Sequence, residues 1–425
     1  MRRNNYKILM LIPVLIILNL SFLIQNSNSQ WVQTNIEMTN GVYAGSMLNV
    51  GNNIYAGIWN KGVFYTSNNG INWEDITNNT YTSVFTIAGN KNYLFAGDYG
   101  SGASAPIYRS SDFGQTWINV GNNIPYPLVS KIFTKGDSVL VSVWEFKENN
   151  LFESALYFST DNGNIWNNSE IYNAVSGFVS AGTNVFAATG YGVYISSDYI
   201  NWISVNNDLT DTLLTSIASD EHNNILYVGT LSHGVFSSTN NGSNWIPKNT
   251  GIASYGINSL RVQGNNIIAG TDHGVYVSSN FGSNWLSVGL SNMSVKSFAC
   301  NDDYIFASTM YNSIWRRPIS EIIGIQNIST EIPKEFMLFQ NYPNPFNPAT
   351  TIKFQIPSEV KSKTSDVKLI VYNILGSEVA TLVYEQLAPG NYSINWNASA
   401  FPSGVYFYKL TTDGFIETKK MMMIK

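Results

Sequence analysis

The stretch Tyr-Arg-Ser-Ser-Asp-Phe-Gly-Gln-Thr-Trp, residues 108–117, decides the fold because the chain repeats it. Five related strings also end in tryptophan, and they are Tyr65–Trp73, Tyr157–Trp166, Tyr194–Trp202, Phe236–Trp245 and Tyr276–Trp285. Successive tryptophans lie 36 to 49 residues apart, which is the spacing of four-stranded propeller blades. Short alternating runs separated by Asn- or Gly-containing turns precede each string, so each repeat predicts four strands.

The repeated string resembles the Asp box of sialidase-like propellers, Ser-x-Asp-x-Gly-x-Thr-Trp. Ser110, Asp112, Gly114, Thr116 and Trp117 match every defined position. The corresponding residues of the other copies are Asn68, Gly70 and Trp73; Asp161, Gly163 and Trp166; Asp198 and Trp202; Asn240, Gly242 and Trp245; and Asn280, Gly282 and Trp285. Asp or Asn is expected to bond turn backbone, Gly to take positive φ, and Trp to pack over the hairpin. The fourth copy is one residue short and lacks the Gly, so its turn is expected to differ.

The ends of the repeat region predict seven blades. Residues 296–318 supply three more strands without a box or a fourth strand. The stretch 30–34 resembles the missing fourth strand, and Trp31 precedes Trp73 by 42 positions, one propeller period. We therefore expect an all-β chain with a seven-bladed β-propeller over residues 30–319, closed by its own N-terminal strand.

Composition agrees with this fold and excludes several partners. Only 12% of the 425 residues are charged, whereas 14% are aromatic, which suits short strands and tight turns. The net charge of −5 argues against nucleic acid and anionic membranes as partners. Cys300 is the lone cysteine, so an intramolecular disulfide and a cysteine metal cluster are both excluded.

The N-terminus predicts export. Basic residues precede the apolar run 8–18, and Ser27 and Ser29 occupy small-residue positions, so residues 1–29 read as a cleaved signal peptide. An uncleaved membrane anchor is the alternative, although Pro13 interrupts the run. No other segment has the length and apolarity of a membrane span.

The C-terminal part has a different composition. After an expected linker, residues 320–335, come Phe-Met-Leu-Phe-Gln-Asn-Tyr-Pro-Asn-Pro-Phe-Asn-Pro at 336–348, Val-Tyr-Asn-Ile-Leu-Gly at 371–376 and Lys-Lys-Met-Met-Met-Ile-Lys at 419–425. Residues 336–425 resemble the type A C-terminal sorting domain of the type IX secretion system of Bacteroidetes-like bacteria. The resemblance implies a small Ig-like β-sandwich, capture by the outer-membrane secretion machinery, and release or attachment at the cell surface. A sandwich that merely binds ligand is the alternative.

Candidate ligand-binding residues lie in the turns opposite the boxes. They are Trp59, Asp98, Tyr99, Trp144 and Glu145, with Glu148 and Glu153 nearby. Aromatic rings beside carboxylates suit carbohydrate, because sugar C–H faces stack on rings while hydroxyl groups need acceptors. We expect both tryptophans to lie in exposed turns. Polar, solvated loops without a ligand are the alternative.

Catalysis has less support. A sialidase needs three arginines on the substrate carboxylate, but the propeller has only Arg109, Arg261, Arg316 and Arg317, two of them on third strands away from the axis. A glycoside hydrolase could use Asp98 and Glu145 as its carboxylate pair. His233 and His273 occupy equivalent turns, which explains them without a metal. The sequence thus predicts a secreted or surface-attached propeller that binds a polysaccharide or a surface protein, without cofactor, metal or catalytic residues, and a secreted glycoside hydrolase is the alternative.

Overall fold

The computed structural model describes most of the chain after residue 30. The described ranges are 31–36, 43–78, 83–100, 105–147, 152–171, 173–264, 266–311, 313–322, 325–329, 332–357, 365–387, 389–398, 401–412 and 414–424. The expected signal peptide, residues 1–29, lies outside them.

Seven four-stranded antiparallel sheets form the propeller, and each is a blade numbered here from the N-terminus. The closing strand and the first three blades comprise β1 (Val32–Gln33); β2 (Ala44–Val50), β3 (Asn53–Ile58), β4 (Gly62–Thr66) and β5 (Glu74–Asp75); β6 (Val84–Gly89), β7 (Leu94–Asp98), β8 (Ile107–Ser110) and β9 (Ile118–Asn119); β10 (Leu128–Lys135), β11 (Ser138–Phe146), β12 (Phe152–Ser159) and β13 (Asn167–Asn168).

The remaining blades follow the same order from the axis outward. They comprise β14 (Val175–Ala181), β15 (Asn184–Thr189), β16 (Gly192–Ser196) and β17 (Ile203–Ser204); β18 (Leu214–Asp220), β19 (Ile225–Thr230), β20 (Val235–Ser238) and β21 (Ile246–Pro247); β22 (Ile257–Gln263), β23 (Asn266–Thr271), β24 (Gly274–Ser278) and β25 (Leu286–Ser287); β26 (Val295–Cys300), β27 (Tyr304–Thr309) and β28 (Ser313–Pro318).

Closure by the N-terminal strand is confirmed. Strand β1 pairs antiparallel with β28, with Val32 opposite Arg316 and Gln33 opposite Trp315. The indole Nε1 of Trp31 also donates to the Val288 carbonyl at 2.8 Å. The seventh blade therefore combines strands from both ends of the propeller and leaves no open sheet edge where the ends meet.

The core lies between blades rather than at the axis. Second strands such as β3 and β19 are almost entirely buried, because a neighbouring blade covers each of their faces. Their runs Asn-Ile-Tyr-Ala-Gly-Ile and Ile-Leu-Tyr-Val-Gly-Thr are accordingly nearly continuous in apolar and small residues. Each blade therefore depends on its neighbours for burial.

The C-terminal sheets form the sandwich. One sheet has the order β29 (Ile325–Ser329), β34 (Gly390–Asn397), β31 (Ala349–Ile356) and β30 (Met337–Leu338), and the other has β33 (Glu378–Leu387), β32 (Ser365–Asn373), β35 (Gly404–Thr412) and β36 (Phe415–Met423). Aromatic and aliphatic side chains from both sheets, among them Phe354, Tyr392 and Tyr408, are fully buried.

The expected linker is in part structured. A four-residue helix, α1 (Ile319–Ile322), ends the propeller region, and β29 pairs with β34 inside the sandwich. The interval 320–335 lacks the aromatic periodicity of the blades, so its strand gave no repeat signal. The sandwich thus begins about ten residues before the expected boundary at residue 336.

Removing residues 30–36 should destabilise the whole propeller. The deletion takes away β1 and the Trp31 indole bond, and it leaves β28 as an unpaired edge. We expect a lower, still cooperative thermal unfolding midpoint by calorimetry. Trp31→Phe, which removes the indole bond and part of the buried ring, should cost about 1–3 kcal/mol. An unchanged midpoint for the deletion would show that β1 does not close the ring.

Candidate ligand-binding surface

Five aromatic side chains form a continuous row across the first three blades, and we call them the aromatic row. They are Phe85, Trp59, Tyr99, Trp144 and Phe146. Ring centroids lie 6.0 Å apart for Phe85 and Trp59, 4.9 Å for Trp59 and Tyr99, 5.8 Å for Tyr99 and Trp144, and 4.9 Å for Trp144 and Phe146. Every contact is edge-to-face, a favoured geometry for aromatic pairs.

Strand ends place these rings on one face of the propeller. Trp59 and Tyr99 directly follow the second strands β3 and β7, and Phe85 lies in the innermost strand β6. Trp144 and Phe146 are two residues apart in β11, so they share one face of that strand. The structure thus brings together three residues that the sequence proposed separately, Trp59, Tyr99 and Trp144.

The exposure of these rings differs from the expectation. Trp59, Tyr99 and Trp144 are half-buried, because each packs against another ring, whereas Phe146 is 55% exposed. Trp144 lies in a strand, not in a turn, since β11 and β12 extend their hairpin to the pair Phe146 and Phe152. The sequence missed Phe85 and Phe146, although Phe146 lies only two residues after the candidate Trp144.

Asp98 does not offer a free carboxylate at this surface. Its side chain is buried, and Oδ1 accepts from the backbone N–H groups of Ser83 and Tyr99, both at 2.8 Å. These bonds fix the turn that carries the Tyr99 ring. Asp98 is therefore a positioning residue for the aromatic row, which corrects the expectation that it faces a ligand.

Glu145 is also engaged. Lys147 Nζ forms an ion pair with Glu145, and it lies 3.3 Å from Glu153 Oε2. Glu145 and Glu153 are cross-strand neighbours in the β11–β12 hairpin, so one ammonium group bridges two carboxylates. Glu148 lies outside the described residues. The hairpin thus presents a compact charged cluster beside the rings rather than an isolated acid.

The six box hairpins have a shared hydrogen-bond pattern. In the second copy Ser110 Oγ donates to Asp112 Oδ1 at 2.7 Å and accepts from Gly114 N at 2.8 Å, while Thr116 N donates to Asp112 Oδ1 at 2.8 Å. The five box glycines have φ between 75° and 104°. Where the fourth copy lacks Gly, Tyr199 takes the left-handed conformation at φ 68°. These residues hold turns and lie away from the aromatic row.

Each box tryptophan also links two blades, a role that the sequence did not predict. The indole Nε1 donates to the residue that follows the outermost strand of the preceding blade. The pairs are Trp117 with Ile76 O, Trp166 with Val120 O, Trp202 with Ser169 Oγ, Trp245 with Val205 O and Trp285 with Lys248 O, at 2.7–2.9 Å. Trp73 is the exception, since its buried Nε1 has no partner among the described residues.

Arg109 and His233, for which the sequence predicted no catalytic or metal-binding role, have structural partners. Arg109 donates to Asn162 O at 2.6 Å and stacks over Tyr93. His233 Nδ1 contacts both Asp211 Oδ2 at 2.8 Å and Ser232 Oγ at 3.0 Å. A serine nucleophile would need to bond the other ring nitrogen, so this cluster lacks triad geometry. Within the described ranges no group of His, Cys, Asp and Glu side chains is arranged to hold a metal ion.

Comparison with known proteins supports two features of the chain. Residues 340–425 match the family described as "Secretion system C-terminal sorting domain". The sandwich therefore carries a type IX sorting tail, which implies export and interaction with the secretion machinery. No curated protein matches the chain. No described helix is long and apolar enough to cross a bilayer.

Solved structures show the same fold at low sequence identity. PorZ, a surface component of the type IX secretion system of Porphyromonas gingivalis, is 15% identical with a TM-score of 0.52, over 93% of this chain and 61% of PorZ. YCF48 bound to D1 peptide is 15% identical with a TM-score of 0.53, over 68% and 96%. An ancestral GH74 enzyme is 14% identical with a TM-score of 0.54, over 92% and 63%. The chain thus spans less than two thirds of PorZ and of the GH74 enzyme, and these likenesses establish a propeller.

Asp112 should titrate well below an ordinary aspartate. Hydrogen bonds from the Thr116 hydroxyl and backbone N–H, together with Ser110, lower its pKa to about 2. Because the folded-state pKa lies below the unfolded value near 4, this stabilisation is complete above pH 4 and is lost as the pH falls toward 2. A carboxyl NMR titration should give a midpoint near 2 for Asp112.

Box variants provide the matched comparison. Asp112→Asn should fold, because Asn280 already accepts the equivalent bond from Asn284 N at 2.9 Å, and it should lose part of the acid sensitivity. Asn280→Asp should gain acid sensitivity in the same pH range. A midpoint near 4 for Asp112 would mean that the box bonds are not formed in solution.

Proposed function

We propose that this protein is a secreted or cell-surface propeller that binds a glycan on the aromatic row and is exported through its sandwich. The observation that carries the proposal is the row itself. Four edge-to-face contacts join five rings on the face opposite the boxes. Trp59, Tyr99 and Trp144 are only half-buried, so part of each ring is available to a ligand.

The chemistry of the row suits carbohydrate. Ring faces stack on the C–H faces of sugars, and neighbouring polar groups serve the hydroxyls. The Glu145–Lys147–Glu153 cluster lies at one end of the row, and at the other end Ser83 Oγ donates to Asn60 Oδ1 at 2.9 Å. A surface protein is the alternative ligand, since exposed aromatics also anchor protein interfaces.

A glycoside hydrolase has less support from these contacts. Such an enzyme needs one protonated and one ionised carboxyl group on either side of the scissile bond. Asp98 is buried and caps a turn, and Glu145 is paired with Lys147. Neither carboxyl group is placed as an independent acid or base, so we favour binding over hydrolysis.

The hairpins, the N-terminal segment and the sandwich also have roles in the proposed function. The six hairpins correspond in residues and hydrogen bonds to Asp boxes, with a stapling role. Residues 1–29 act as the signal peptide for inner-membrane passage. The sandwich then directs the propeller through the outer membrane to the cell surface or the medium.

Loss of rings from the row should weaken glycan binding. A glycan array and a polysaccharide panel on the full chain would first identify the ligand. Trp59→Ala or Trp144→Ala should then weaken binding by about 1–3 kcal/mol. Phe146→Ala should also weaken it with a nearly unchanged unfolding midpoint, because that ring is exposed.

Tyr191→Ala is the control for this experiment. Tyr191 is 67% exposed in the β15–β16 turn, on the same face but in the fourth blade. It should bind like the parent. Equal affinity for the Trp59→Ala/Trp144→Ala double variant, measured by calorimetry on folded protein, would place the ligand elsewhere. Hydrolysis of a panel polysaccharide, abolished by Glu145→Gln, would favour the enzyme instead.

Removal of the sandwich should stop export at the outer membrane. A chain that ends after residue 322 keeps the signal peptide and all seven blades, so it should cross the inner membrane and accumulate in the periplasm. Cell fractionation and protease accessibility measure this. A chain with Phe146→Ala and an intact sandwich should be exported normally. Normal amounts of the truncated chain outside the cell would contradict the sorting role.

A further inference from the structure

A cavity of about 170 Å³ lies on the propeller axis and carries an excess of positive charge. The innermost strands of six blades line it, and its lining includes Lys131, Arg261 and Lys296 but no carboxylate. The whole chain has a net charge of −5, so this concentration of cations runs against the overall charge. The cavity is far larger than a single water molecule requires.

Two of the three cations, Lys131 and Arg261, occupy positions where the other blades have uncharged residues. Each innermost strand has a β-bulge, and the residue that resumes the pairing is small in six blades. The equivalent residues, in blade order, are Ser46, Thr86, Lys131, Gly177, Ser216, Ser259 and Ser297. Two residues further along, the equivalents are Leu48, Ala88, Phe133, Val179, Ala218, Arg261 and Ala299. Blade packing therefore demands neither Lys131 nor Arg261.

Among the described residues Lys131 and Arg261 have no carboxylate partner, whereas Lys296 forms an ion pair. Lys131 Nζ has no hydrogen bond or ion pair with any residue that the structure describes. Arg261 Nη2 donates to the neutral Asn49 Oδ1 at 3.1 Å, and its buried Nε has no partner. Lys296 donates to Asn258 Oδ1 at 3.0 Å and lies 3.9 Å from Asp272 Oδ1, the one carboxylate beside the cavity.

Unsatisfied hydroxyls accompany these cations. Ser216 and Ser259 both line the cavity, both belong to the bulge positions, and both have a buried Oγ without a partner in the described part of the chain. Buried polar groups are normally hydrogen-bonded, and a buried cation normally has a counter-charge. Each Oγ packs against the glycine paired with it, Gly229 or Gly270, so the donors that remain available to a ligand in the cavity are those of the cations.

We propose that the axial cavity binds a small oxyanion of the phosphate or sulfate class, held by Lys131 and Arg261 with Lys296 as a further donor. A tetrahedral oxyanion presents several acceptor oxygens, which suit ammonium and guanidinium donors. Water alone would satisfy the hydrogen bonds without offsetting the charge. Burial lowers the pKa of Lys131, and a bound anion would raise it again. This site is independent of the aromatic row.

Thermal unfolding and titration calorimetry of the full chain with inorganic phosphate test the proposal. Phosphate should raise the unfolding midpoint in a saturable way, beyond the effect of sodium chloride at the same ionic strength. Lys131→Gln should weaken phosphate binding about tenfold or more. Lys91→Gln, which removes an exposed lysine outside the cavity, should leave the affinity unchanged.

Further variants keep the result interpretable. If Lys131→Gln changes the basal midpoint, its phosphate affinity by calorimetry at a temperature where it is folded remains the deciding value, and Arg261→Gln should weaken binding similarly. A phosphate response no larger than that of chloride would overturn the proposal. So would equal phosphate affinity in the parent and both cavity variants, which would show that the anion binds elsewhere.

Discussion

The close approach of neighbouring blades at glycines near the ends of second strands is the constraint on which the propeller depends. A Cβ at Gly97 would lie 2.4 Å from Val129 of the next blade, and one at Gly229 would lie 2.5 Å from Ile257. The absence of a side chain therefore lets the next innermost strand seat against the blade. Since every second strand is covered on both faces, each blade needs two neighbours, and the ring must close. The first and last blades are not joined by a short turn of the chain. The short strand β1 closes the ring between them by pairing with β28.

Most of this architecture could be predicted from the sequence because its signals are local. The box hydrogen bonds of Ser110 and Asp112 lie within five residues, so the residue pattern and the turn coincide. The indole bonds between blades could not be predicted. Their acceptors are mostly backbone carbonyls such as Ile76 O, 41 residues before Trp117, and any residue type supplies a carbonyl. The linker boundary failed for a related reason, because β29 pairs with a strand more than sixty residues away.

The candidate ligand-binding surface could be predicted only in part. Aromatic residues after second strands marked Trp59 and Tyr99, because the repeat does not require large rings there. The states of the acids depend on partners that the sequence does not reveal. Asp98 Oδ1 accepts from Ser83 N, 15 residues earlier in the chain, and Lys147 reaches two carboxylates only because β11 and β12 pair as far as Phe146. The sequence shows which residues are charged or aromatic. It does not show which carboxylates already accept hydrogen bonds or form ion pairs within the fold.

In a repeat fold, a residue that differs from its equivalents in the other repeats is a candidate for function. All seven blades pack their innermost strands around the axis in the same way. Six of them have Ser, Thr or Gly at the bulge position. That packing does not require Lys131, and its half-buried ammonium has no carboxylate partner among the described residues. The same reasoning applies to the lengthened β11–β12 hairpin, whose extra pairs extend past the height of the other blades and carry Phe146 into solvent. Both departures lie in the third blade. The third blade is thus the blade whose residues the propeller repeat explains least.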